Sequence, residues 1–319
     1  MYNTSKDWCK EMMFKNSTKL LLANFDKVWK LLVYHILCFA LCFGLLSVFY
    51  NFFAASIVSA WEEANLAGVF SSGTFYGYSV AGVLHGIVNA VIGFFITIFA
   101  ENVWIGVYFC VIVFYLLPFL MNVGKYVVDE MLYGFMSSAQ KQSFTGTFLR
   151  TLGKSTQFAA VKTLYALPFN ALILLSMYGL SRIQNQVFDY IFPLALAVIP
   201  AIMFAFKQTF NAGWAPAMVV FDVGVAKAFM LGHRAILRRG ARVFSTAFVI
   251  CLLAIVLSLI LGLYALIIIL PIVLPFSDIF EMTAFFSSQG MRFYADYDTI
   301  LTPKKLEEVD KIENAKFIL

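Results

Sequence analysis

Charged residues are scarce in this chain: they make up 13% of its 319 residues, whereas 61% are hydrophobic. A soluble domain carries roughly 25% charged residues, so the composition excludes an ordinary soluble protein. Several stretches of about 20 residues contain no formal charge, which is the length that an α-helix needs to cross the hydrocarbon core. These stretches do not alternate between polar and apolar residues, which excludes a closed β-barrel. The predicted fold class is therefore all-α, a polytopic membrane helix bundle.

Common catalytic and metal-binding patterns are also missing. The sequence contains no Gly-x-x-x-x-Gly-Lys-Ser/Thr, no His-Glu-x-x-His and no Gly-x-Ser-x-Gly, which excludes the commonest ATPase, metalloprotease and hydrolase signatures. Its five cysteines form no Cys-x-x-Cys pair, and its three histidines lie in unrelated segments. We therefore expect no enzyme activity, no metal, no cofactor and no nucleic-acid partner.

Lys and Arg residues are missing from long parts of the chain. Of the 23, all but Arg182 fall in four blocks, at residues 6–30, 125–162, 207–242 and 292–316. Short loops that stay in the cytoplasm retain Lys and Arg, so we expect all four blocks on the cytoplasmic side. An even number of crossings must then separate neighbouring blocks.

Seven apolar segments are candidates for these crossings. If all seven crossed, the second and third basic blocks would lie outside while the first lay inside, against the positive-inside rule. One of the first three segments therefore does not cross, and six crossings remain, with both termini in the cytoplasm. The seven segments are Leu31–Val58, Ser79–Phe99, Val103–Val123, Phe158–Leu180, Val187–Phe206, Phe244–Gly262 and Leu263–Phe285.

The second segment, Ser79–Phe99, is predicted to be the one that does not cross. It carries His85 and Asn89, is interrupted by glycines and ends near Glu101. Such segments are tolerated at membrane depth only where protein or water covers them, so we expect a re-entrant or peripheral Gly-rich helix. The alternative stays open: Ser79–Phe99 crosses as a helix packed through small residues, and Val103–Val123 lies flat or re-enters.

Three Leu/Ile-Pro steps indicate a threefold internal repeat, because each lies in the second helix of a pair of crossings. We interpret the repeat as an interfacial amphipathic helix followed by two membrane helices. The predicted organisation is one membrane domain over residues 1–295 and a charged cytoplasmic tail over residues 296–319. The hairpin units cover about residues 1–140, 141–222 and 223–295. The three steps are Leu117-Pro118, Ile199-Pro200 and Leu270-Pro271.

The third basic block resolves into one face of a helix. At 100° per residue, Arg234, Arg238 and Arg242 fall within about 60° of Lys227, and Ile236 lies on the opposite, apolar side. A basic face against an apolar face is typical of an interfacial helix whose cations contact anionic lipid headgroups. The alternative is a cytoplasmic linker helix that packs on the bundle.

Two acidic residues close to membrane depth form the other candidate site. Asp278 and Glu281 are three residues apart and share a helical face. Burying ionisable groups in a membrane is costly, so such a pair predicts a cation site or a proton relay, together with His85 and Asn89. The alternative is that Asp278 snorkels to the interface or pairs with a lysine at the equivalent repeat position, Lys125 or Lys207.

One stretch resembles known membrane proteins. It runs from Ala215-Pro216 through Asp222 to Phe229 and is followed by Arg238-Arg239 and a double membrane span. It resembles uncharacterised bacterial multi-pass proteins of the YesL-like kind, and the membrane domain attached to some glycerophosphodiester phosphodiesterases. The resemblance covers about the C-terminal third, and no phosphodiesterase catalytic domain is present. It therefore implies a bacterial plasma-membrane protein and no catalytic residues.

The predicted function is a non-enzymatic scaffold or accessory subunit of the bacterial plasma membrane. Its expected partners are the bilayer, with its anionic headgroups, and a protein partner or a second copy of the chain. The alternative is a small transporter or channel that uses polar residues between the hairpins. Polar residues that converge on one water-filled cavity favour transport, whereas acidic residues paired with lysines favour the scaffold.

The threading predicts that a cysteine placed at Gln140 is not labelled by a membrane-impermeant thiol reagent added from outside the cell. The reason is that Gln140 lies within the second basic block, which the positive-inside rule keeps in the cytoplasm. Labelling of this cysteine in intact cells contradicts the six-crossing arrangement.

Overall fold

The structure, a computed structural model, describes residues 4–63, 80–183, 186–237, 239–265, 268–297 and 299–301. Over these residues the chain is almost entirely helical, which confirms the predicted all-α class. The helices are α1 Thr4–Ala23, α2 Phe25–Leu46, α3 Tyr50–Glu63, α4 Val80–Glu101, α5 Val103–Cys110, α6 Leu117–Ser138, α7 Phe144–Ser181, α8 Gln186–Asn211, α9 Trp214–Phe221, α10 Val225–Leu237, α11 Gly240–Leu261 and α12 Leu274–Gln289.

Six helical stretches in the described part of the chain are long and apolar enough to cross a membrane. Each overlaps one of the six predicted crossings, so the polytopic bundle is confirmed. The seventh apolar segment falls in α4, which is itself 22 residues long, so whether Ser79–Phe99 or Val103–Val123 is the segment that does not cross stays open. The six stretches are Val28–Ser59, Val103–Ser138, Phe144–Leu180, Ile191–Phe221, Gly240–Ser258 and Ile269–Gln289.

Two of the three Leu/Ile-Pro steps coincide with a local widening of the helix. A π-helical segment, Val111–Leu116, ends directly before the Leu117-Pro118 step, and another, Ile269–Val273, contains Pro271. Proline donates no backbone hydrogen bond and its ring collides with the carbonyl four residues earlier, and a π-turn relieves that collision. The step at Pro200 stays within the α-helix α8.

The chain divides into two compact units. The first comprises Met1–Ile36, Met121–Lys162 and Ala205–Leu319, and the second comprises Leu37–Leu120 and Thr163–Phe204. Each unit is thus assembled from segments that are distant in sequence.

Aromatic rings fill much of the second unit. The Phe109 ring on α5 lies 5.4 Å from Phe53 on α3 and 5.2 Å from Phe94 on α4, measured between ring centroids. These separations suit tilted and edge-to-face ring contacts, so α3, α4 and α5 pack through one aromatic cluster.

The turn between α4 and α5 is fixed by Asn102. This residue has an extended backbone, and its side-chain oxygen accepts hydrogen bonds from the backbone N–H groups of Trp104 at 3.0 Å and Ile105 at 3.3 Å. A capped helix start of this kind satisfies donors that would otherwise lack partners at the helix end. The cap explains why α5 begins directly after α4 ends.

In the first unit, α9 and α10 meet backbone to backbone. Added Cβ atoms at Gly213 and Gly232 would each collide with the backbone of the other glycine. The Trp214 indole N–H also donates to the Val225 carbonyl oxygen at 2.9 Å. The close crossing of these two helices therefore requires glycine at both positions.

A short antiparallel hairpin follows α12. Its strands are β1, Phe293–Asp296, and β2, Thr299–Leu301, with Phe293 paired to Leu301. The sequence pattern does not predict this hairpin, because residues from 296 onward are typical of a charged tail. The remainder of that tail, from residue 302, lies outside the described residues.

We predict that Gly232→Ala destabilises the protein by about 1–3 kcal/mol, because the new Cβ would overlap the Gly213 backbone, which cannot move aside as a side chain can. The measurement is thermal unfolding of the purified chain in detergent. The matched control is Gly153→Ala in α7, where an added Cβ meets nothing within 4 Å, and where the higher helix propensity of alanine should stabilise. Equal stability of the two variants contradicts the close crossing.

Candidate functional site: a buried charge cluster

A single lysine ammonium group lies among three carboxylates in the first unit. The Lys125 Nζ on α6 is 2.5 Å from an Asp278 oxygen and 2.8 Å from a Glu281 oxygen, both on α12. The same Nζ is 3.8 Å from Asp129, one turn further along α6. We call Lys125, Asp129, Asp278 and Glu281 the charge cluster.

The spacing of these residues explains why they meet. Lys125 and Asp129 are four residues apart on α6, and Asp278 and Glu281 are three apart on α12, so each pair lies on one helix face. The two faces point toward each other.

The charge cluster is almost completely withdrawn from the surface. The exposed fraction of the side chain is 11% for Lys125, 6% for Glu281 and 0% for Asp129. The neighbouring stretch of α6, residues 123–127, is buried at every position. Removing ions from water costs several kcal/mol for each ion, and only close, hydrogen-bonded partners offset that cost.

Asp129 is the least satisfied member of the charge cluster. Both of its carboxylate oxygens are buried and accept no hydrogen bond from the described residues. Lys125 is its ion-pair partner at 3.8 Å, and that ammonium group already binds the two acids on α12 more closely. The charge cluster therefore holds three acidic groups around one directly bound base.

A second lysine lies near the charge cluster. Lys162 on α7 interacts electrostatically with its carboxylates, and its Nζ lies 5.2 Å from the centroid of the Phe158 ring. A cation over an aromatic face is attracted by the ring quadrupole.

A chain of hydrogen bonds continues from the charge cluster to two further helices. The Gln208 side-chain amide on α8 donates to the Ser277 hydroxyl and, at 3.4 Å, to Glu281. The Cys251 thiol on α11 donates to the Gln208 oxygen at 3.5 Å. Polar side chains that bond across helices hold membrane bundles together. This network joins α6, α8, α11 and α12.

The structure decides between the two lysines considered as partners of Asp278, because the bound lysine is Lys125. Asp129 is a member of the site that was not predicted, although its four-residue spacing from Lys125 places both on one helix face. Gln208 and Ser277 were also missed, since a single polar residue in an apolar run does not reveal its partner.

The other two predicted members of the ion site belong to the second unit. Asn89 lies exposed on α4, and the side chain of His85 lies outside the described residues. Their participation in one site with Asp278 and Glu281 stays a prediction. Among the described residues, no group of three or more His, Cys, Asp and Glu side chains is arranged to hold a metal ion.

The predicted basic face lies on and after α10. Lys227 and Arg234 are exposed, and Arg242 on α11 is half-buried, whereas Arg238 lies outside the described residues. On the other side of α10, Ala228, Gly232, Ala235 and Ile236 are buried, and the helix packs against α9 and α12.

Comparison with known proteins gives no family for this arrangement. No protein family, no curated protein and no solved structure matches the chain. The resemblance of about the C-terminal third to YesL-like proteins and to the membrane domain of some glycerophosphodiester phosphodiesterases therefore stays a prediction.

We predict that Lys125→Met destabilises the protein by about 3–5 kcal/mol, because it leaves buried carboxylates without their counter-ion. The measurement is denaturant or thermal unfolding of the full chain in detergent. The matched control is Lys141→Met, which removes an exposed lysine 3.5 Å from Asp26 and should cost less than about 1 kcal/mol. If the two variants unfold alike, Lys125 does not hold the charge cluster together.

Proposed function

We propose that the chain is a non-enzymatic scaffold or accessory subunit of a bacterial plasma membrane. In this proposal both termini and the basic face lie in the cytoplasm, and the six long apolar helices anchor that face to the bilayer. The observation that carries the proposal is the position of Lys125, whose ammonium group lies between Asp278 and Glu281. The acids that would line an ion path are thereby engaged in joining α6 to α12.

The basic face supports contact with anionic lipid. Lys227 and Arg234 are exposed, while the opposite side of α10 is buried against α9 and α12. Each Lys or Arg near an anionic membrane surface contributes about 1 kcal/mol of attraction. Arg238 and Arg242 continue this face in the sequence pattern, and the negative cytoplasmic leaflet would draw all four cations to it.

A transporter or channel is the second candidate function, and Asp129 is the observation that favours it. A carboxylate whose buried oxygens accept no hydrogen bond from the described residues is a place where a proton or small cation would be stabilised. Intramembrane acids often mark such paths. In that case Lys125 and Lys162 would balance the charge cluster when the site is empty.

Reconstitution separates the two functions. In proteoliposomes that contain the full chain, the scaffold proposal predicts no proton or monovalent-cation flux above that of protein-free liposomes, with the wild type and with Asp129→Asn alike. In the native membrane, in-cell cross-linking should capture the chain with a defined protein or with a second copy. A flux that the wild type supports and Asp129→Asn abolishes overturns the scaffold in favour of transport. The control is Asp222→Asn, which removes an exposed acid at the end of α9.

A further inference from the structure

A groove of about 620 Å³ opens on the first unit, between α1, α11 and α12. Its volume lies in the range of pockets that bind small molecules. The walls are mainly aliphatic and aromatic: Phe14 and Leu21 come from α1, Val249 and Leu253 from α11, and Phe276 from α12. The Phe14 and Phe276 rings, 5.0 Å apart, join two of the walls.

The hydroxyl groups of the groove already have hydrogen-bond partners. The Thr18 hydroxyl donates to the Phe14 carbonyl oxygen at 3.0 Å. The Ser245 hydroxyl donates to the Ala241 carbonyl oxygen at 2.8 Å, and the Thr246 hydroxyl donates to the Arg242 backbone carbonyl oxygen at 3.2 Å. Each hydroxyl thus bonds to the backbone of its own helix. The groove therefore presents an almost wholly apolar surface and favours a hydrocarbon occupant.

One cationic side chain, Arg242, lies at the end of this apolar surface. Arg242 lines the groove and is the third residue of the apolar stretch Gly240–Ser258. Its guanidinium makes no ion pair or hydrogen bond with another described side chain. A half-buried arginine at the edge of a membrane span prefers a phosphate partner, because its planar group binds phosphate oxygens in pairs.

The length of the groove matches one leaflet of a bilayer. Arg242, Ser245, Val249 and Leu253 follow one face of α11. The eleven steps from Arg242 to Leu253 span about 16 Å at 1.5 Å per residue. Half of a hydrocarbon core of about 30 Å is about 15 Å. A phospholipid whose headgroup lies at Arg242 would therefore have its acyl chain along the whole α11 wall of the groove.

We propose that this groove binds one acyl chain of an anionic phospholipid whose phosphate pairs with Arg242. Most lipids around a membrane protein contact a convex surface, whereas three helices surround the acyl chain in this groove. The bound lipid should therefore be retained through purification. The inference deepens the proposed function, since it rests on anionic lipid at the basic face and assigns one defined binding position to it.

Native mass spectrometry of the delipidated full chain tests the site. The probes are phosphatidylglycerol and phosphatidylcholine with identical acyl chains. The wild type should retain one phosphatidylglycerol with a preference of about fivefold or more over phosphatidylcholine. Arg242→Gln should abolish the preference for phosphatidylglycerol, while the acyl chain of either lipid still binds. Val249→Trp, or Leu253→Trp if the first variant does not fold, should reduce retention of both lipids about fivefold or more, because the indole fills the groove.

Two control variants separate this site from the wider basic face. Val161→Trp adds the same bulk on α7, at a residue that is 45% exposed compared with 50% for Val249, and should leave retention unchanged. The double variant Lys227→Gln, Arg234→Gln should weaken looser anionic-lipid binding and leave the single retained lipid in place. Equal retention by Val249→Trp and Val161→Trp overturns the groove proposal, as does an unchanged preference in Arg242→Gln. If only the double variant changes lipid preference, the result supports anionic-lipid contact at the basic face and overturns the groove proposal.

Discussion

The ion pairs of Lys125 are the contacts on which the first unit depends. An ammonium group buried in an apolar bundle is stable only when charged partners surround it closely. Here they come from one turn away on α6 and from α12, 153 residues along the chain. Because the hydrogen bonds of Gln208 extend this network to α8 and α11, the position of one lysine constrains four helices.

Local features of the sequence were enough to predict the class and the six long apolar helices. An apolar stretch of spanning length is a property of consecutive residues, and the basic blocks reduced seven segments to six. The shared face of Asp278 and Glu281 also followed from spacing alone. Their partner did not, since only the repeat alignment offered Lys125, with Lys207 as an equal choice. Nor could sequence show that Gly213 meets Gly232, because helix crossings depend on tertiary packing.

The cations of the charge cluster and of the basic face fall into two classes, buried and surface-accessible. Lys125 is buried and has its counter-ions within the protein, so its contribution is to helix packing. Lys227 and Arg234 are exposed, and Arg242 lies at the end of an apolar groove, and in the proposed function their counter-ions are lipid phosphates. The proposed scaffold would use both classes: buried cations that hold its helices together, and exposed cations that contact the bilayer surface.

A double-mutant cycle tests most directly whether Asp278 and Glu281 serve to hold α6 to α12 through Lys125. The free energy of unfolding would be measured in detergent for Lys125→Met, for Asp278→Asn with Glu281→Gln, and for all three changes together. The account predicts that the combined variant loses less stability than the sum of the two, with a coupling energy of about 2–3 kcal/mol. Losses that add to within about 0.5 kcal/mol would contradict it.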